Sequence, residues 1–183
     1  MSLRPLTLLL PTLALLAGCS LAPPAGIRAV DGFDLERYLG TWYEIARLDH
    51  SFERGLIRVS AHYSRRADGG IEVLNRGYNP AQGRWKEARG RAYPLETADR
   101  GSLKVSFFGP FYGGYHVIAL DRQEYRYALV SGSSRNYLWI LARTPTLEPV
   151  VLQRLVAQAE ALGFAVDELL LVEQSPAPGP GDP

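Results

Sequence analysis

The 183-residue chain contains one cysteine, one methionine and three histidines. A single cysteine excludes an intramolecular disulfide. His50, His62 and His116 are scattered, and with no second cysteine and no clustered carboxylates they offer no metal-ligand spacing. Charge of one sign is lacking too: 20 Lys and Arg face 19 Asp and Glu. No basic block suited to neutralising phosphates is present, so nucleic acid is excluded as a partner. Ser131, Ser133 and Ser134 surround Gly132 without forming a Gly-x-Ser-x-Gly elbow. These absences leave no catalytic residue, metal or cofactor to assign, and the chain reads as a binding protein, not an enzyme. The main apolar run, LTLLLPTLALLAG at 6–18, is interrupted by Pro11 and too short for a lone membrane span.

That run follows Arg4 and reads as a secretory signal over residues 1–18. It ends in Leu16-Ala17-Gly18-Cys19, which resembles the lipobox of bacterial lipoproteins. The resemblance implies cleavage before Cys19 and acylation of its sulfur and nitrogen. A free thiol outside the cytoplasm is a liability, whereas an acylated one is not. Each buried methylene contributes about 0.8 kcal/mol, so two or three acyl chains make a durable anchor. Ser20, in place of Asp, resembles the enterobacterial signal for the outer membrane, with the folded part in the periplasm. Loss of Arg4 with the signal leaves 19 basic and 19 acidic side chains. Residues 19–29 then form the lipidated cysteine and a Pro/Ala tether, residues 30–175 one folded domain, and residues 176–183 a tail too rich in Pro and Gly to pack.

Between Trp42 and Arg143 apolar and polar residues alternate, broken by turn signals. Ile57, Val59, Ala61 and Tyr63 share one face of a strand and Arg58, Ser60, His62 and Ser64 the other. Asp68-Gly69-Gly70, Asn79 to Gly83, Asp99-Arg100-Gly101, GPFYGG at 109–114, Asp121-Arg122 and GSSRN at 132–136 separate the later strands. Eight strands with short links suit an antiparallel up-and-down barrel, which removes sticky edges and leaves room for side chains or one small ligand. A two-sheet sandwich usually needs a long crossing link, and none is present. After the strands, Thr146 can cap a helix whose Leu152, Leu155, Val156, Ala159 and Leu162 fall on one face, with Gly163 as its stop. The helix is expected on the outside of the barrel, followed by a short strand at 169–172.

Gly40-Thr41-Trp42-Tyr43-Glu44-Ile45-Ala46-Arg47, KVSFFGPFYGGYHVIALD at 104–121 and YALVSGSSRNYLWILARTP at 127–145 together resemble the lipocalin family, particularly its bacterial outer-membrane members, and also the apolipoprotein D type. The resemblance implies that Gly40 permits a close bend, that Trp42 plugs the closed end, and that Arg143 lies across the Trp42 ring and bonds nearby carbonyls. It also implies a hydrophobic ligand: a fatty acid, lysophospholipid or phospholipid, stored or carried at the outer membrane. A heme-like flat pigment is the alternative, and an enzyme acting on a bound hydrophobic ligand a further one.

Aromatic residues Tyr63, Tyr78, Tyr93, Phe107, Tyr115, Tyr127 and Trp139 are candidates to line the pocket. Trp139 shares strand parity with Arg143 and is expected inward. Glu44 shares parity with Trp42 and Ala46, so its carboxylate also points inward and needs a partner. Arg76, Arg89 and Arg91 are the candidates from neighbouring strands. Glu44 serves either as half of a structural ion pair or as a ligand-contacting, pH-sensitive group. The segment at 109–115 suits a dimer patch, a lipid-facing lip or a loop over the mouth.

Overall fold

Alternating side chains between Gly40 and Ala142 build eight antiparallel strands in a computed structural model that describes residues 21–175. They are β1 (Gly40–Leu48), β2 (Ile57–Arg65), β3 (Ile71–Asn79), β4 (Arg84–Pro94), β5 (Ser102–Phe108), β6 (Phe111–Leu120), β7 (Tyr127–Ser131) and β8 (Leu138–Ala142). Each pairs with the next, and β1 pairs with both β8 and β2, so the sheet closes into a barrel. The signal segment, Cys19 and the 176–183 tail lie outside the described residues.

The barrel has two unlike ends. Links β2–β3, β4–β5 and β6–β7 gather at the end closed by a one-turn helix, α1 (Leu35–Tyr38). Asp34 caps that turn, its Oδ1 accepting from the backbone N–H of Glu36 and Arg37. The other four links ring the open end.

Two apolar clusters share the barrel wall. The inner one holds Tyr38, Trp42, Tyr63, Ile71, Val73, Leu103, Val117, Val130 and Leu141. The outer one holds Ile45, Ala46, Ile118, Leu129, Leu138 and Ile140 beneath helix α2 (Pro149–Ala161), which buries Leu155 and Ala159. Strands β7 and β8 are therefore covered on both faces, which explains their nearly unbroken apolar sequence.

Thr146 does not cap α2. The cap position belongs to Glu148, without a side-chain cap bond, while the Thr144 hydroxyl donates to the Thr146 carbonyl. Pro149 at the first helical position has no N–H to satisfy, which lessens the need for a cap. The tether also begins to pack earlier than its composition indicates. Ile27 is buried in the outer cluster, the Ala25 carbonyl accepts from Arg135, and the Val30 N–H donates to the Val117 carbonyl.

Strand β9 (Leu169–Leu171) closes a seam. The first half of β1 pairs with β2, but Ala46 to Leu48 pair with β9 instead. Gln174 then donates to the carbonyls of both Glu44 and Val59, stitching β1 to β2 where they part.

Candidate ligand-binding cup

The floor is built around Trp42, which is fully buried. Its indole N–H donates to the Tyr38 carbonyl at 2.8 Å. The Arg143 guanidinium lies 4.0 Å from the centre of the Trp42 ring. It donates to the carbonyls of Arg37, Thr41 and Tyr125, tying α1, β1 and the β6–β7 link together. Gly40 has φ +94°, and a Cβ there would stand 3.3 Å from an Arg143 Nη. Backbone conformation and closeness to the guanidinium both favour glycine at this position.

Three tyrosine hydroxyls meet above the floor. Tyr115 is 2.7 Å from Tyr38 and 3.0 Å from Tyr63, oxygen to oxygen. Burial raises the Tyr38 and Tyr115 pKa values well above their usual range and pushes Tyr63 up to about 12, so all three remain neutral hydroxyls.

Towards the mouth lies a buried polar group of a different kind. Glu44 Oε1 accepts from Arg47 Nη1 at 2.7 Å, and Arg47 Nη2 donates to the carbonyls of Glu53 and Leu56. The Trp139 N–H donates to Glu53 Oε2 at 3.1 Å. His50 Nδ1 stands 3.5 Å from the same oxygen, and its ring stacks on Phe52 and Tyr137. One guanidinium thus serves a buried glutamate and the backbone of the 49–56 link. Burial, then the nearby Glu53 charge, pushes the Glu44 pKa up to about 8 against the pull of Arg47. Burial also raises Glu53. Burial and the Arg47 charge lower His50 to about 4, which leaves its imidazole neutral.

The partner of Glu44 is therefore Arg47, and none of the three arginines expected from other strands. Arg76 pairs with Glu87, Arg89 with Glu72, and Arg91 lies near the Tyr112 ring. A β-bulge explains the difference. Glu44 pairs with Leu141 but Ala46 pairs with Ile140, leaving Ile45 as an extra residue. Beyond it the inward positions change parity: Arg47 turns into the barrel opposite Trp139, and Ala46 turns out into the cluster under α2.

Tyr63, Phe107, Tyr115 and Trp139 pack with the inner cluster. Phe107 reaches it over Gly90, where a Cβ would meet the Phe107 ring at 2.8 Å. Tyr78 and Tyr127 do not join them. Tyr78 has the parity of Glu72 and Arg76 on β3, and its ring packs edge-on against Trp85 beneath Arg58. Tyr127 lies in the outer layer, where its hydroxyl accepts from Arg154 of α2. The structure brings in Tyr38, Arg47 and Glu53, which the residue pattern does not single out, and places His50 among them as a neutral ring instead of a metal ligand. The aromatic and charged residues of HSFERG at 50–55 were a signal for Glu53 and His50, but their inward fold depends on Arg47.

Inner-wall residues Ala61, Val105, Phe107, Tyr115 and Trp139 remain partly exposed although strands flank them. They are the candidate wall of a cup between the tyrosine hydroxyls and the Glu44–Arg47 group. His116 is buried on the outer face with Nδ1 3.0 Å from the Ser102 hydroxyl, and His62 pairs with Thr41 at the surface. No group of three His, Cys, Asp or Glu suited to a metal occurs among the described residues.

A model of the lipocalin-like domain matches residues 33–174. "Outer membrane lipoprotein Blc" of Escherichia coli strain K12 is 55% identical over 175 residues, covering 95% of this chain and 98% of the relative. Apolipoprotein D of Mus musculus is 31% identical over 157 residues, covering 81% and 80%. Insecticyanin of the tobacco hornworm Manduca sexta superposes with a TM-score of 0.68 at 21% identity, covering 85% of this chain and 89% of that one, a likeness of fold.

Proposed function

This chain belongs to the lipocalin family, and we propose that it is an outer-membrane lipoprotein whose cup takes the acyl chain of a fatty acid, lysophospholipid or phospholipid. The observation that carries this reading is the partly exposed inner ring of Ala61, Val105, Phe107, Tyr115 and Trp139 above a sealed floor. An apolar wall left partly uncovered inside a closed sheet favours an apolar occupant. About ten methylenes buried there contribute about 8 kcal/mol, near micromolar affinity before ordering costs. The neutral tyrosine hydroxyls below and the Glu44–Arg47–Glu53 group near the mouth supply polar contacts.

Leu16-Ala17-Gly18-Cys19, together with the name of the 55% identical relative, supports acylation at Cys19 and attachment to the outer membrane with the barrel in the periplasm. In this role the protein holds or transfers lipid within the envelope and performs no covalent step.

Titration with palmitic acid brominated at mid-chain tests the cup. Saturable one-to-one quenching of Trp139 is expected, weakened at least several-fold by Ala61→Phe, which adds a ring to the cavity wall. Absence of quenching in the folded protein, or an unchanged affinity in Ala61→Phe, would contradict the assignment.

A further inference from the structure

The exposed aromatic side chains of this barrel lie at one end. Phe52 on the β1–β2 link, Trp85 at the start of β4, Phe108 and Phe111 at the β5–β6 tip, and Tyr137 just before β8 all stand on the open rim. Phe108 and Phe111 are 81% and 77% exposed and face each other across the hairpin. No aromatic of comparable exposure lies at the closed end among the described residues.

Two cations border the same hairpin. Arg91 and Lys104 lie 5.9 and 5.2 Å from the centre of the Tyr112 ring, and neither is ion-paired among the described residues. Aromatic rings beside unpaired basic side chains suit the boundary between acyl chains and anionic headgroups.

The N-terminal segment fixes which surface this end meets. The Leu21 carbonyl lies against Gly114, where a Cβ would stand 2.6 Å from it and 2.5 Å from the Ser133 hydroxyl of the β7–β8 link. Gly114 is three residues along β6 from Phe111, about 10 Å at strand rise. Cys19 precedes Leu21 by two residues, a reach of about 7 Å. Acyl chains on Cys19 therefore reach the bilayer on the rim side, since the closed end of β6 at Leu120 lies roughly 20 Å from Gly114, twice the distance to Phe111.

We propose that the open rim is a membrane-docking face for a bilayer surface bearing anionic phospholipid. Phe108 and Phe111 enter the headgroup boundary, Arg91 and Lys104 meet phosphate, and the mouth opens onto the membrane. An acyl chain then passes between bilayer and cup without crossing bulk water. This rests on the reading of Cys19 as the acylated anchor.

Spin labels on Phe108→Cys, Phe111→Cys and, at the closed end, Gln123→Cys in the processed full-length protein test it, after reconstitution into vesicles of phosphatidylethanolamine and phosphatidylglycerol. Labels at 108 and 111 are expected to collide several-fold less with a water-soluble nickel reagent, and more with oxygen, than the label at 123. Equal water access at all three in protein that floats with the vesicles would overturn docking while leaving the anchor intact. Shielding with strong label-to-label broadening would assign the rim to a second copy of the chain and equally overturn it. Failure to float would overturn the anchor reading and the docking with it.

Discussion

Replacing Arg47 by Met is expected to destabilise the barrel strongly, with a distinctive pH dependence. Arg47 is 3% exposed and donates to Glu44 Oε1, the Glu53 carbonyl and the Leu56 carbonyl. Methionine keeps most of the stem and removes the cation. Three buried acceptors lose their donor, at about 1–3 kcal/mol each. At about 2–4 °C per kcal/mol for a chain of this size, the midpoint falls by roughly 10 °C. The folded Glu44 pKa, already about 8 against an ordinary 4.5, moves higher when Arg47 is gone. A carboxyl whose folded pKa is raised contributes stability that is present below the unfolded value and is lost as pH rises through the folded one. The native protein should therefore lose stability between about pH 4.5 and 8 and then level off, whereas Arg47→Met should go on losing it above pH 8. Urea unfolding followed by tryptophan fluorescence at pH 5, 8 and 9.5 measures both. No loss in the native protein from pH 5 to 8, no further loss in Arg47→Met above pH 8, or a Glu44→Leu/Arg47→Met double variant less stable than Arg47→Met alone, would refute the reasoning.

Gly40→Ala forces a side chain onto φ +94° near the Arg143 guanidinium, and a loss of about 1–2 kcal/mol is expected in urea unfolding. Tyr115→Phe removes the oxygen shared by the Tyr38 and Tyr63 hydroxyls, so about 1–3 kcal/mol should be lost; no change would mean that water replaces it fully. Leu155→Ala leaves a cavity where α2 meets the outer cluster, at about 2–5 kcal/mol. A loss below 1 kcal/mol there would show that the helix is loosely held. Arg143→Lys keeps the charge but loses the planar fork over Trp42, and its midpoint should fall as well, read by the same unfolding curve.

Most of the strand plan was legible because period-two alternation and turn residues recur from Trp42 onward. The floor was legible too: the family resemblance indicated that Gly40, Trp42 and Arg143 belong together, and the structure places the guanidinium over the indole. Tyr78 could have been placed correctly, since Ile71 and Val73 mark the inner face of β3 and Tyr78 falls on the other. Tyr127 could not, because YALVS is covered on both faces and its pattern shows no side. Arg47 was hidden for another reason. A bulge is one unpaired residue in the ladder, Ile45 here, and no residue type in GTWYEIARL announces it. That one residue redirects every side chain beyond it, so strand parity points across the sheet for a partner of Glu44 that lies three positions along the same strand.

The most direct measurement is gentle mass spectrometry of the processed protein released from the outer membrane. The account predicts a polypeptide beginning at Cys19 that carries acyl groups and, in addition, a discrete non-covalent mass matching a fatty acid, lysophospholipid or phospholipid, lost in Ala61→Phe. A folded protein that flies without such a mass, and takes up none from added lipid, would contradict the claim that the cup holds an acyl chain.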